Sequence, residues 1–402
     1  MEEEKLVKFK IDKSINREGT DSEKYELREQ LFGSKKVLPM WVADMDLPTP
    51  DFIIEALKNR LEHPILGYNK TPERVYQSII DWQAQHGYTI TKSEIVFTHN
   101  VANGFHLAIQ AYTNKHDAIL VQPPIYPPFL SAPIFNNRKV IEAPLKLEQN
   151  RYEVDFKELE DMIIKNNVKL FLFCNPQNPS GRVWTKSELL KIADICIRNN
   201  VLIVSDEIHS DLVYKPNKHI PIASLSTEIA DRTITLNSPG KTFNLGGLQI
   251  GYALVANTQL KQRYLSVTKS ISITELNTMA LVALEAGYTQ QGQEWKAQLL
   301  THFTSNINKL ETFISIYLPK VKIMRPEASY LVWIDFRELV DTQTELNEWL
   351  IHKAYLGLNN GESFGGESLS GKGFMRMNLA VSSSVMDQAI AQLKEAIPAL
   401  DK

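Results

Sequence analysis

The feature that most constrains the fold is a regular alternation of short apolar runs with amphipathic stretches through the middle of the chain. Runs of this length that are separated by helical patterns are typical of βαβ units, in which parallel strands form a sheet covered by helices. We therefore predict an α/β fold with a mostly parallel sheet flanked by helices. The five runs are EIVFT (94–98), AILVQ (118–122), KLFLFC (169–174), VLIVS (201–205) and TITL (233–236).

Length and composition limit the classes of function. A chain of 402 residues is too long for one simple core, so roughly two or three domains are expected. The net charge of −3 gives no electrostatic reason to expect nucleic acid or an anionic membrane as a partner. The charged start MEEEKLVKFK lacks a secretory apolar core, and no apolar run reaches the length of a membrane span. Cys174 and Cys196 lie in apolar runs that suit buried thiols, so we predict a cytoplasmic protein without a disulfide or a metal site.

Polar residues follow each apolar run, at the strand ends where parallel sheets bind ligands. After the first run, HNVANG leads into a helical pattern, and the amides of Val101 and Ala102 could cradle a phosphate there or form a plain loop. After the second run, four prolines surround Tyr126, which could stack on a flat ligand or pack within its loop. After the third run, NPQNPSG holds Asn178 on a proline-rich turn, either as a fixed donor or as part of a tight turn.

The last two runs end at acidic and basic groups. DEIHSD brings Asp206 and His209 to the end of the fourth run, where Asp206 would otherwise be a helix cap. The fifth run leads through a turn to Lys241, in a small and mostly uncharged segment that is unusual for a surface lysine. An anion cradle, an aromatic ring, an amide, a carboxylate with a histidine, and a lysine are therefore predicted at one edge of the sheet.

This set of groups meets the chemical requirements of pyridoxal 5′-phosphate. A lysine amine forms a Schiff base with an aldehyde, and a carboxylate keeps a pyridine nitrogen protonated so that the ring accepts electrons. An amide and an imidazole can hydrogen-bond a phenolic oxygen, and a helix N-terminus can hold a phosphate.

The chain resembles the fold-type I pyridoxal-phosphate enzymes of the class I/II aminotransferase group, and within it the cystathionine β-lyase or C–S lyase branch. The resemblance implies a large cofactor domain (47–287), a smaller α/β C-terminal domain (288–402), an N-terminal segment (1–46) that joins the small domain, and a homodimer. It extends from about Met40 to Ala380 and rests on PMWVADMD, NPQNPSGRVWTKSEL, VSDEIHSDLVY, SPGKTFNLGGLQIGYA and GFMRMNLA.

The resemblance also implies individual roles. Lys241 matches the Schiff-base lysine and, with Tyr68, is a predicted catalytic residue; Tyr68 would reach the cofactor phosphate of the neighbouring subunit or else pack near a turn. Arg376 matches the arginine that holds the substrate α-carboxylate, although a surface ion pair is the alternative. The other matched positions are Asp206 at the pyridine nitrogen, Asn178 and His209 at the phenolic oxygen, Tyr126 on the ring, Val101, Ala102 and Ser238 at the phosphate, and Ala43, whose backbone would face the substrate carboxylate.

Three positions depart from the family pattern. Gln249 stands where many aminotransferases have a phosphate-binding arginine, which fits the lyase branch. Asn100 stands where relatives often have glycine, and Gly240 stands where a hydroxyl residue is common. The last two departures leave the geometry of the phosphate cradle open.

The predicted activity is β-elimination from an amino-acid thioether, giving a thiol, pyruvate and ammonia. Cystathionine, cystine, djenkolate and other cysteine S-conjugates fit this reaction. The alternative is an aminotransferase, which shares the steps up to removal of the Cα proton. A regulatory or binding protein on the same fold is a third reading, but such a protein would not need Lys241, Asp206 and Arg376 together.

Overall fold

The computed structural model describes residues 8–273 and 275–400, and these form four β-sheets with helices around them. The bounds of the strands follow in chain order. They are β1 (Leu38–Pro39), β2 (Ile95–Thr98), β3 (Ala118–Val121), β4 (Lys139–Glu142), β5 (Lys146–Glu148), β6 (Arg151–Glu153), β7 (Leu170–Cys174), β8 (Leu202–Asp206), β9 (Thr233–Asn237), β10 (Gly251–Leu254), β11 (Lys322–Met324), β12 (Leu331–Asp335), β13 (Leu356–Gly357), β14 (Asn359–Asn360) and β15 (Phe374–Asn378).

The helices alternate with the strands in the first two thirds of the chain and dominate afterwards. They are α1 (Glu23–Glu26), α2 (Arg28–Phe32), α3 (Asp51–Leu61), α4 (Glu73–Ala84), α5 (Val101–Tyr112), α6 (Pro127–Phe135), α7 (Phe156–Asn166), α8 (Lys186–Arg198), α9 (Thr227–Ala230), α10 (Thr258–Ser270), α11 (Thr278–Gly287), α12 (Gln290–Tyr317), α13 (Gln343–His352), α14 (Glu362–Gly365) and α15 (Ser383–Ala396).

The largest sheet has seven strands in the order β2-β10-β9-β8-β7-β3-β4. Only β10 is antiparallel to its neighbours, so the predicted mostly parallel sheet is confirmed. The five apolar runs correspond to β2, β3, β7, β8 and β9, which all run in one direction. The sequence did not single out β4, which is a half-exposed edge strand, or β10, which is a short strand that begins with a glycine.

The strands of this sheet other than the edge strand β4 are buried on both faces, which explains why they are predominantly apolar. In β3, Ile119 and Val121 pack on one face in a cluster that includes Phe105 of α5, whereas Leu120 packs on the opposite face with Leu189 of α8. Successive side chains of a strand point to opposite faces, so a strand buried on both faces carries apolar side chains at successive positions.

The C-terminal part has its own antiparallel sheet, in the order β11-β12-β15-β14, packed against α12, α13 and α15. Strand β1 pairs in parallel with β13, so the N-terminal segment lies beside this part of the molecule. The domain bounds at 46/47 and 287/288 stay a prediction. Among the described residues, no helix is both long enough and apolar enough to cross a bilayer.

Candidate active site

The ends of the five predicted strands meet at one edge of the large sheet, because β2, β3, β7, β8 and β9 share one direction. A cavity of about 610 Å³ opens there. Arg376 and Tyr68 are the two predicted site residues that do not line it. The predicted residues that do line it are Ala43, Val101, Ala102, Tyr126, Asn178, Asp206, His209, Ser238 and Lys241.

Lys241 lies in a turn segment after β9, with its amine inside the cavity. Its Nζ donates a hydrogen bond to the carbonyl oxygen of Ala43 at 2.5 Å and forms no ion pair with any described residue. Burial, with the nearby charge of Arg376, lowers the pKa of Lys241 to about 8. A useful fraction of this amine is therefore neutral, and so nucleophilic and basic, close to neutral pH.

Asp206 and His209 are buried and line the same cavity. Asp206 ends β8, accepts a hydrogen bond from the amide of Ile208 at 3.1 Å, and has no ion pair among the described residues. Burial raises its pKa to about 7. Burial lowers the pKa of His209 to about 3, so its ring is neutral, and its Nδ1 has no partner among the described residues. The segment after β8 forms turns, so the helix-cap alternative for Asp206 is wrong.

The N-terminus of α5 faces the same cavity through Val101 and Ala102. The first N–H groups of a helix have no carbonyl within the helix to which they can donate. The N–H groups of Val101 and Ala102 therefore remain available to an anion. Asn100 caps the helix by accepting from the amide of Asn103 at 2.7 Å and donates to Oε1 of Gln249 at 2.7 Å. Asn100 has a φ of −162°, which is extended backbone open to any residue, so its replacement of glycine causes no strain.

The structure also explains why glycine occupies position 240. Its amide donates to the hydroxyl of Ser238 at 2.9 Å, and that hydroxyl donates to the carbonyl of Ile250 at 2.5 Å. A Cβ atom at position 240 would lie 2.9 Å from the same hydroxyl, so a larger residue would disturb this turn. The side of the cavity that is predicted to bind a phosphate is therefore formed by two turns, one before α5 and one after β9.

Arg376 lies just behind the cavity wall and is 4% exposed. It donates to Asn178 Oδ1 at 3.2 Å, to the carbonyl of Trp41 at 3.1 Å and to Asn359 Oδ1 at 2.6 Å, while its Nε has no partner among the described residues. No carboxylate of the described residues lies within ion-pair distance of it, so the alternative of a surface ion pair is wrong. A buried guanidinium without an anion is suited to receive a substrate carboxylate.

Ala43 and Tyr68 are the two predicted site residues whose contacts need separate description. The carbonyl of Ala43 accepts from both Lys241 and the hydroxyl of Tyr330, so the N–H group is the part of its backbone left to face a substrate carboxylate, and that role stays a prediction. Tyr68 lies between α3 and α4, is fully exposed, and does not line the cavity of its own chain. Its proposed role requires a second copy of the chain.

Sequence reasoning missed the residues that orient Arg376. Trp41, Asn359 and Phe364 surround the guanidinium, with the Phe364 ring centroid 5.0 Å from it. Asn359 reaches Arg376 because β14 pairs with β15, with Asn359 directly opposite Arg376. No local pattern in the sequence signals this pairing.

The residues present fit pyridoxal 5′-phosphate. Among the described residues, Asp206 is a buried carboxyl group without an ion pair, which suits a protonated ring nitrogen, and His209 is a neutral ring whose Nδ1 has no partner. The α5 amides suit a phosphate, and the Lys241 amine suits an aldehyde. Tyr126, at the start of α6, adds an aromatic wall whose hydroxyl has a pKa raised by burial.

Comparison with known proteins agrees with this fit. The chain is 38% identical over 388 residues to cystathionine β-lyase PatB of Bacillus subtilis (strain 168), covering 96% of this chain and 99% of that protein. It is 30% identical to the protein MalY of Escherichia coli (strain K12), covering 98% and 100%. The crystal structure of cystalysin from Treponema denticola, which contains a pyridoxal 5′-phosphate cofactor, superposes with a TM-score of 0.94 at 32% identity and covers 98% and 100%.

The model of the family "Aminotransferase class I and II" matches residues 35–393, which span both the large sheet and the C-terminal sheet. The chain therefore belongs to the class I and II aminotransferase family.

Proposed function

We propose that this protein is a pyridoxal-phosphate-dependent carbon–sulfur β-lyase that cleaves L-cystathionine or a related cysteine S-conjugate to a thiol, pyruvate and ammonia. The observation that carries the proposal is the cavity in which the amine of Lys241, with its lowered pKa, shares a buried space with Asp206 and His209. The similarity to cystathionine β-lyase PatB over nearly the whole chain supports this branch of the family.

When bound, pyridoxal phosphate supplies an electron sink for the electron pair that remains after a Cα proton is removed. Lys241 takes this proton at Nζ, which its lowered pKa allows near neutral pH. Asp206 would stabilise a positive charge at the ring nitrogen, and the neutral ring of His209 would hydrogen-bond the phenolic oxygen without adding charge. The N–H groups of Val101 and Ala102 would hold the phosphate.

Arg376 binds the substrate through its α-carboxylate. Its guanidinium is already oriented by Trp41 and Asn359, so little side-chain entropy is lost when the substrate binds. The unpartnered Nε leaves a donor for the incoming carboxylate. The fixed carboxylate then limits how the Cα–H bond can be presented to Lys241.

The test is release of pyruvate from L-cystathionine by the purified protein with pyridoxal phosphate and without a keto acid. We expect pyruvate, ammonia and homocysteine in equal amounts. No pyruvate, together with amino transfer when a keto acid is added, would make the protein an aminotransferase. Lys241→Ala should abolish pyruvate release, because it removes the amine that takes the Cα proton. Lys115→Ala is the control and should keep the activity, because Lys115 is exposed and does not line the cavity.

We also propose that the protein acts as a homodimer in which Tyr68 reaches the cofactor phosphate in the partner's cavity. The support is the exposure of Tyr68 together with Leu61, Ile65 and Leu66 on the same short segment. A run of exposed apolar side chains is typical of a surface that another protein covers.

A further inference from the structure

A buried carboxylate lies behind the cavity wall, outside the set of groups described above. Asp211 is 5% exposed and accepts hydrogen bonds from Thr242 Oγ1 at 2.7 Å and from Trp82 Nε1 at 2.9 Å. His86 Nε2 lies 2.9 Å away and Lys296 Nζ lies 3.8 Å away. Burial acts to raise the pKa of Asp211, but Lys296, His86 and Thr242 outweigh it and keep the pKa well below its usual range.

One of these bonds reaches the residue directly after Lys241. Thr242 is fully buried and does not line the cavity, whereas Lys241 does. The lysine therefore points into the cavity while its neighbour points back to Asp211. Because the two residues share a peptide bond, a fixed Thr242 side chain restricts the direction in which the Lys241 side chain leaves the backbone.

A second bond links the same two segments. Asn237, the last residue of β9, donates from Nδ2 to Ser210 Oγ at 3.1 Å. The segment after β8 is therefore bonded to the chain on both sides of Lys241, at Asn237 and at Thr242. The segment after β8 also carries His209, which faces the cavity. These two side-chain bonds hold the His209 side and the Lys241 side of the site at a set separation.

Lys241 benefits from such an anchor because it lies in a turn and not in a helix or strand. Among the described residues, its side chain donates one hydrogen bond, to the carbonyl of Ala43 in the N-terminal segment. The amine must leave that carbonyl when it works on a substrate, so the backbone must hold its position without help from Nζ.

We propose that Asp211 is a positioning residue, which orients Lys241 by holding the hydroxyl of Thr242. Asp211 itself touches neither cofactor nor substrate. The kinetic test of this inference rests on the proposed function. The second test, a pH titration of the absorbance of bound pyridoxal phosphate, needs only that Lys241 binds this cofactor.

The test compares Thr242→Val, which keeps the shape and loses the hydroxyl, with Thr242→Ser, which keeps the hydroxyl. We expect Thr242→Val to lower kcat by about tenfold or more while KM changes by less than about threefold, because misplacement of a catalytic group slows chemistry more than it weakens binding. The pH midpoint of the absorbance change of bound pyridoxal phosphate should also shift in Thr242→Val. Thr242→Ser should restore both quantities to near the wild-type values.

Trp82→Phe is the matched control, because it removes a different buried donor to the same carboxylate. We expect it to lower the unfolding temperature and to leave kcat and the absorbance midpoint unchanged. Should Thr242→Val not yield folded protein, Thr242→Ala replaces it, since a smaller side chain cannot clash.

Two outcomes would overturn the proposal. Equal losses of kcat in Trp82→Phe and Thr242→Val would reduce Asp211 to a purely structural role. A wild-type kcat and a wild-type absorbance midpoint in Thr242→Val would show that the Thr242 hydroxyl does not orient Lys241. Absence of pyruvate release from the wild-type protein would instead count against the lyase function, and the absorbance midpoints would still decide the role of Asp211.

Discussion

Asp206 shows how a single residue can be unfavourable for the protein alone and favourable for its proposed cofactor. Its carboxyl group is buried at the end of β8 and has no ion pair among the described residues, so burial raises its pKa to about 7. A positive ring nitrogen beside it would favour the ionised form. The ion-pair partner that Asp206 lacks among the described residues is thus one that pyridoxal phosphate would bring.

This predicts a pH-dependent effect of Asp206→Asn in the protein freed of cofactor. In the unfolded chain Asp206 ionises near its ordinary pKa of about 3.9, whereas in the folded chain it stays protonated up to about 7. The folded state therefore binds more protons between these values, and the wild-type protein loses stability as pH rises from about 4 to about 7. Asp206→Asn lacks this loss, so its stability relative to wild type should rise across that window and then level off.

Urea unfolding of both cofactor-free proteins at pH 5 and pH 8 measures this difference. Asp161→Asn is the control, because Asp161 is exposed on α7 and has an ion pair with Lys157. A relative stability of Asp206→Asn that is the same at both pH values would contradict the raised pKa of Asp206.

At the scale of elements, the start of α5 combines two tasks in one cap. Asn100 satisfies the amide of Asn103 and also holds Gln249, which lines the cavity. Asn257 caps α10 in a similar way, with its side chain accepting from the amides of Gln259 and Leu260, but it does not line the cavity. The chain thus offers a matched pair of helix caps, one at the proposed phosphate site and one away from it.

We expect Asn100→Ala and Asn257→Ala each to lower the free energy of unfolding by about 0.5 to 2 kcal/mol, the usual cost of a lost cap. Only Asn100→Ala should also weaken binding of pyridoxal phosphate, because it loosens the turn that presents the amides of Val101 and Ala102. Equilibrium binding of the cofactor to both variants, followed by absorbance, distinguishes the two effects. Equal affinities of the two variants for pyridoxal phosphate would show that the α5 cap does not contribute to the phosphate site.

At the scale of the whole molecule, the proposed site is incomplete without a second chain. Tyr68 is fully exposed and does not line the cavity of its own chain, so its proposed contact must be made in the cavity of a partner. A homodimer would place two such cavities across an interface that buries the exposed side chains near Tyr68. Closed two-fold dimers of this kind are the commonest form of soluble oligomers.

Mixing two inactive variants tests this arrangement. In a heterodimer of Tyr68→Ala and Lys241→Ala subunits, one cavity would combine an intact Lys241 with an intact Tyr68 from the partner. Random exchange at equal amounts should therefore restore about a quarter of the wild-type activity, since half of the dimers would carry one intact site in two. No recovery after exchange, verified by sedimentation of tagged subunits, would show that Tyr68 does not act across an interface.

The sequence by itself determined the direction and ends of the main strands and hence the edge where the site forms. Each run is four to six residues long and predominantly apolar, which is typical of strands buried on both faces of a parallel sheet. Because the chemically active residues follow these runs directly, their convergence was predictable without coordinates.

Only the tertiary structure decided how these groups are held. The bonds from Lys241 to Ala43 and from Arg376 to Trp41 join residues that are 198 and 335 positions apart. The anchoring of Thr242 by Asp211 and the antiparallel placement of β10 also depend on packing between distant elements. A sequence pattern reports which side chains a local backbone presents and to which face, whereas contacts between distant segments depend on how the whole chain packs, and no local periodicity records them.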